Sequence, residues 1–300
     1  MNENIQLWPN QIQEIRYLST EDNSEQPALF YAPDTSQAAP LLVALHQWSG
    51  DYLEVESIPF ATWCLNKGWA FIHPHFRGAC NRPEATGSPL VIQDILDAVA
   101  YARKEAVIDP GRIYLIGASG GGYTALLVAG KEPDIWAGIS VWVPITNLED
   151  WFHESQGIKY AEHIALSCGG APDESGKVAR EYYNRSPINF LANTMQTPID
   201  INAGIYDGHT GAVPISHSLR AFNVLALSED AISDDEIEFF VEKAQVPPSL
   251  KGTYTDDLYG EKKVLFRRNS QNVRITIFNG GHDMIYIAAL DWLAQQVKLF

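Results

Sequence analysis

Between Arg112 and Lys131 the chain reads RIYLIGASGGGYTALLVAGK. Its first residues form the unbroken apolar run of a strand covered on both faces, and its second half, rich in Ala and Leu, reads as a helix. Almost no loop separates the two. Ser119 stands on the corner, with Gly117 before it and Gly120 and Gly121 after it. A turn this tight forces the corner residue into a strained backbone conformation, and its neighbours must lack side chains so that strand and helix can pass closely. The pattern G-x-S-x-G, placed after a strand and opening a helix, holds a nucleophilic serine: Oγ projects alone, and the helix start adds free N–H groups and a positive dipole end. A phosphate cradle fits poorly, because no G-x-G-x-x-G is present and no lysine follows as in a P-loop.

Around this corner strand and helix alternate. Residues 40–46 and 69–75 are continuous apolar runs, with a helix expected over 54–67 between them. Residues 88–106 form a helix with Ser88 as N-cap and Pro89 in the first turn. Strands are expected in DPGRIYLIG and over 135–143, 197–205 and 272–280, and helices over 213–227 and 283–298. Residues 11–18 and 28–32 alternate apolar and polar, as an edge hairpin over about 11–32 would. The expectation is an α/β chain with a doubly wound, mostly parallel sheet, right-handed crossovers and a site at the carboxyl ends of the strands. Its 300 residues and 46% hydrophobic content suit one large domain, 1–300. Two stretches interrupt the alternation and read as lid-like insertions, 144–196 and 228–271. The second can form an amphipathic helix with Ile237, Phe240 and Val241 on one face. It is expected to wall or cover the pocket; the other role open to it is a homo-oligomer contact.

A serine needs a base, and the base needs an orienting carboxylate. Of eight histidines, His282 in FNGGHDM lies just after the last expected strand. Asp207, in NAGIYDGHTGAVP, follows the strand before it. The chain order Ser119, Asp207, His282 is that of an α/β hydrolase. Asp283 reads as a surface or helix-start residue, Asp200 as structural within a strand, and His209 as a pocket or supporting residue. The oxyanion donors are expected to be the backbone N–H groups of Gly120 and of Trp48 in HQWSGD, with Gln47 second. Further pocket candidates are Gln47, Tyr123, Trp142, Trp151 and His209; Trp48, Trp142 and Trp151 read either as platforms for a sugar or as core packing.

The formal net charge of −16 argues against nucleic acid and against anionic lipid, and no apolar run is long enough for a membrane span. His73 and His75 share a strand face without a third ligand at metal spacing, so no metal and no cofactor are expected. Cys64, Cys80 and Cys168 are widely spaced and read as buried thiols. The polar N-terminus, MNENIQLWPNQ, lacks a secretory pattern, and the expected compartment is the cytoplasm.

Together these motifs resemble the catalytic domain of the prolyl oligopeptidase family of α/β hydrolases over about residues 35–298. DPGRIYLIGASGGGYTAL resembles its nucleophile region, HPHFRGA its strand with an Arg-Gly loop, and VPISHSLRAF its helix after the acid. The resemblance implies Ser119, Asp207 and His282 as the triad and Trp48 at the second oxyanion position. The chain departs from the family in the long loop after Asp207, in the 228–271 insertion and in having too few residues before 35 for a β-propeller. Carbohydrate esterases share the scaffold, so fold does not choose the substrate. With no propeller to gate the site and tryptophans near it, the expectation is a serine hydrolase cleaving a carboxylic ester, a small molecule or an acylated oligosaccharide. The alternative is a serine peptidase or aminopeptidase acting on short peptides.

Overall fold

The computed structural model describes residues 3–194 and 196–298; positions 1, 2, 195, 299 and 300 of the expected 1–300 domain lie outside them. The described residues form a nine-stranded sheet. In chain order the strands are β1 (Gln13–Leu18), β2 (Glu25–Tyr31), β3 (Ala39–Leu45), β4 (Ala70–Pro74), β5 (Ile108–Ala118), β6 (Gly138–Trp142), β7 (Ile199–Gly204), β8 (Val264–Ser270) and β9 (Val273–Phe278). Their spatial order is β1-β2-β4-β3-β5-β6-β7-β9-β8. The six from β4 to β9 are parallel, while β1 and β2 at one edge and β8 at the other are antiparallel.

The helices are α1 (Ile58–Lys67), α2 (Pro89–Glu105), α3 (Gly120–Lys131), α4 (Leu148–Glu154), α5 (Lys159–Cys168), α6 (Gly176–Arg185), α7 (Ser216–Leu225), α8 (Asp234–Lys243) and α9 (Tyr286–Ala294). Successive strand side chains point to opposite faces, so each apolar strand feeds two cores. Leu41, Val43 and Leu45 of β3, with Ile113 and Leu115 of β5, pack with Ile95 of α2, Leu126 of α3 and Phe222 of α7. Leu42 and Ala44, with Tyr114 and Ile116, pack on the other face with Phe60 of α1 and Leu290 of α9. Ser88 caps α2, its Oγ accepting from the Val91 N–H.

Several boundaries differ from expectation. The 54–67 helix starts only at Ile58, where Pro59 fixes the first turn, and Val55–Ser57 is a 3-10 turn. The strand expected over 135–143 begins at Gly138, because Pro133–Ile135 turns as 3-10 helix. The last helix spans Tyr286–Ala294 rather than 283–298. The 228–271 segment is not insertion throughout: Val264–Ser270 is the edge strand β8, paired with β9. Its amphipathic helix exists as α8, with the Ser233/Glu236 capping box. The apolar face of α8 packs into the core, however. Phe240 packs against Phe266 of β8 (ring centroids 5.9 Å apart), and Ile237 joins the core that holds Phe222 of α7. The 144–196 segment supplies α4, α5 and α6, and α5 reaches the site described next.

Candidate active site

Four loops at the carboxyl ends of parallel strands converge. They leave β5 at Ser119, β3 at Gln47 and Trp48, β7 at Asp207 and β9 at His282. Ser119 sits at φ 54°, ψ −119°, a conformation an L-residue holds only when its surroundings impose it. They do so here through missing side chains. A Cβ on Gly117 would overlap the backbone of Gly121, one on Gly121 would meet the carbonyl of Leu45, and one on Gly120 would strike the backbone of Trp48. The glycine run therefore lets α3 start against both β5 and the β3 loop. Ser119 is 9% exposed, and its N–H is tied to the Trp142 carbonyl at 2.8 Å.

Asp207 is 2% exposed, and its Oδ1 lies 2.9 Å from Nδ1 of His282. The two loops are stitched together: Ile205 N–H donates to the Phe278 carbonyl and Tyr206 N–H to that of Gly280, both at 2.9 Å. Gly204 and Gly211 leave room for this, since a Cβ on the first would overlap the Gly280–Gly281 carbonyls and one on the second would overlap His282. Burial raises the Asp207 carboxyl above its ordinary range, opposed chiefly by its bond to His282. Ser119 and His282 line one cleft of about 320 Å³, with Gln47, Trp48, Glu54 and Tyr160 among its walls.

The alternatives separate clearly. Asp283 is ion-paired to Lys262 at 2.7 Å, and Asp200 is buried in β7 and paired to Arg274 at 2.7 Å. His217 is a second imidazole beside a carboxylate, 2.9 Å from Glu154, but Thr146 N–H occupies its other nitrogen at 3.2 Å. A hollow of about 430 Å³ beside Gln93, Lys131 and Arg185 exceeds the cleft in volume, yet its lining includes no serine, cysteine or histidine. Side-chain chemistry, not size, singles out the cleft.

The backbone N–H groups also sort themselves. Gln47 N–H donates to Glu54 Oε2 at 2.9 Å, the Gln47 carbonyl accepts from Gly50, and the Trp48 carbonyl accepts from Cys80. The Trp48 N–H has no protein partner among the described residues and lies against Gly120, the first residue of α3. Gly120, as the first residue of α3, offers an N–H with no partner inside the helix, so two donors stand beside the serine, as an oxyanion would need.

The other pocket candidates fare unevenly. Gln47 lines the cleft. Tyr123 does not: it is fully buried, and its hydroxyl donates to the Arg185 carbonyl at 2.8 Å. Trp142 lies on the opposite face of the sheet, in the core with Phe278 and Leu290, its Nε1 donating to Ser140. Trp151 stands behind Trp48, ring centroids 4.7 Å apart, and donates to the Ala212 carbonyl. His209 is exposed and bonds to the Val241 carbonyl, linking the acid loop to α8. Sequence reasoning missed Lys159 and Tyr160, which α5 brings to the cleft, and Glu54 and Glu56. No local pattern marks them, because the segments that carry them meet the serine only after folding. Among the described residues no group of three or more His, Cys, Asp or Glu could hold a metal ion, the three cysteines are buried and unpaired, and no helix is long and apolar enough to cross a membrane.

Burial pushes the Glu54 carboxyl up to about 8 from 4.5, the Gln47 bond opposing it. The folded chain therefore holds this proton more tightly than the unfolded chain does. The stability it contributes is complete below about 4.5 and is lost as pH rises through about 8. Glu54→Gln keeps an acceptor for Gln47 but cannot ionise. Its melting temperature is expected to match wild type at pH 5 and to exceed it by a margin that widens toward pH 9. A constant difference across a pH series of thermal melts would contradict this.

The profile described as "Prolyl oligopeptidase family" matches residues 60–242, a span that holds Ser119 and Asp207 but stops before His282. Dipeptidyl aminopeptidase BIII of Pseudoxanthomonas mexicana is 24% identical over 224 residues, 68% of this chain and 31% of that protein. Acylamino-acid-releasing enzyme 2 of Oryza sativa subsp. japonica is 24% identical over 219 residues, 66% of this chain and 27% of that one. The chain thus spans about a third or less of the curated relatives it matches. An acylaminoacyl peptidase solved in complex with Z-Gly-Gly-Phe-chloromethyl ketone superposes with a TM-score of 0.65 at 18% identity, covering 96% of this chain and 42% of that one. The shared architecture is the α/β hydrolase fold.

Proposed function

The chain belongs to the prolyl oligopeptidase family, and from that premise we propose that it is a serine peptidase acting on short peptides through Ser119, His282 and Asp207. One observation carries the reading. A serine held at positive φ shares a cleft with a histidine already bonded to a buried aspartate. In this mechanism Ser119 Oγ attacks the scissile carbonyl carbon while His282 Nε2 accepts its proton. Asp207 holds the Nδ1–H tautomer and stabilises the imidazolium. The N–H groups of Trp48 and Gly120 receive the oxyanion. His282 then protonates the leaving amine, and water repeats the sequence on the acyl-enzyme.

This reading departs from the ester expected from sequence. That expectation leaned on three tryptophans as sugar platforms, but Trp48, Trp142 and Trp151 are 2%, 0% and 1% exposed, their rings spent on packing. The relatives' names speak of aminopeptidase and acylamino-acid-releasing activities, which favours an amide bond.

The test is a panel of aminoacyl, dipeptidyl and N-acyl-aminoacyl p-nitroanilides beside p-nitrophenyl esters, run on wild type and Ser119→Ala. Peptidase function predicts anilide turnover that vanishes in the variant. Ester turnover with no anilide turnover would return the assignment to an esterase.

A further inference from the structure

His46 ends the run that leads from β3 into the Gln47–Trp48 loop. It is 1% exposed, and its ring lies flat on Phe76, centroids 3.8 Å apart and planes 5° from parallel. Both ring nitrogens face carbonyl oxygens: Nδ1 is 2.9 Å from that of Gln47, and Nε2 is 2.9 Å from that of His75. Burial holds the ring's pKa down to about 4, opposed by these two carbonyls, so at neutral pH one hydrogen serves two acceptors. The carbonyls are not equivalent. That of His75 already accepts the Gly78 N–H at 2.6 Å, whereas that of Gln47 accepts the Gly50 N–H at 3.0 Å.

The Gln47 carbonyl and the Trp48 N–H are opposite ends of one trans peptide plane. A hydrogen bond accepted at the carbonyl fixes that plane and draws electron density through the amide, which makes the N–H at its far end a stronger donor. That N–H has no protein partner among the described residues and lies against Gly120, the neighbour of Ser119.

We propose that His46 is a positioning residue for the oxyanion loop: Nδ1–H donates to the Gln47 carbonyl and so aims and polarises the Trp48 N–H. The proposal rests on Ser119 being the nucleophile. It extends that reading to a residue that touches neither substrate nor triad.

Asparagine and glutamine separate the two nitrogens, because the amide of His46→Asn reaches the place of Nδ1 and that of His46→Gln the place of Nε2. His46→Gln is expected to lose about ten- to a hundred-fold in kcat at nearly constant KM, less than outright removal of an oxyanion donor costs. His46→Asn should stay within a few-fold of wild type. Equal losses in both, a loss in Asn alone, or a change confined to KM overturns the proposal. If the variants do not fold, the 15N–1H spectrum of histidine-labelled wild type decides: a hydrogen on His46 Nδ1 supports it, and Nε2–H alone overturns it. Fluorophosphonate labelling of wild type keeps the two levels apart. Absence of labelling at Ser119 defeats the reading and the proposal together, whereas labelling at Ser119 with wild-type kcat in His46→Gln defeats the proposal alone.

Discussion

Ser119→Ala is expected to lower kcat by about 10⁴- to 10⁶-fold, with KM and the thermal melt close to wild type. The substitution removes one oxygen that makes no hydrogen bond to the protein among the described residues: the corner is fixed by the Ser119 backbone and by the glycines that pack on Leu45 and Trp48. Steady-state kinetics on a cleaved p-nitroanilide, with melts of both proteins, checks this. Activity within ten-fold of wild type would mean that another group attacks the carbonyl.

Asp207→Asn is expected to cost about 10⁴-fold in kcat while leaving the fold intact. The amide fits the same space, but its NH2 can face Nδ1 of His282 and trap the imidazole in the tautomer that presents a hydrogen, not a lone pair, to Ser119. The environment makes this severe, since Asp207 is buried and its Oδ1 is one of the few fixed partners of the His282 ring. Glu154→Gln, altering the other carboxylate beside an imidazole, is the control and should leave kcat within a few-fold of wild type. If the Glu154 variant is the dead one and the Asp207 variant is active, the acid has been misassigned.

What could be read before folding was whatever local sterics dictate. The serine corner is legible because only glycine tolerates such close backbone approach, and each overlap at Gly117, Gly120 and Gly121 is now identified. Asp207 and His282 are legible because each follows an apolar strand into a short loop. The strand β8 was not: Arg267, Arg268 and Asn269 interrupt its apolar alternation, and only Val264, Phe266 and Ser270 turn inward. Trp142 was misplaced for a related reason. Strand parity sends it into the α1/α9 core while its neighbour Val141 faces α3, and the aromatic content of a loop end does not reveal which face is which. Glu54 and His46 become meaningful only through partners at Gln47 and His75 that tertiary folding supplies.

The pairing of β7 with β9, Gly204 opposite Phe278, has a consequence for how the molecule comes into being. Ser119 and Asp207 follow strands made earlier, but His282, the proposed base, follows the last strand of the sheet, which pairs with a neighbour far back in the sequence. During synthesis the chain must therefore complete most of its length, and close its longest-range parallel contact, before an imidazole stands opposite the serine. With the proposed triad, a nascent or prematurely ended polypeptide would carry an inert alcohol, and hydrolytic power would arrive late and all at once. For a proposed peptidase, that timing would keep the cutting edge sheathed until its own backbone is safely folded away.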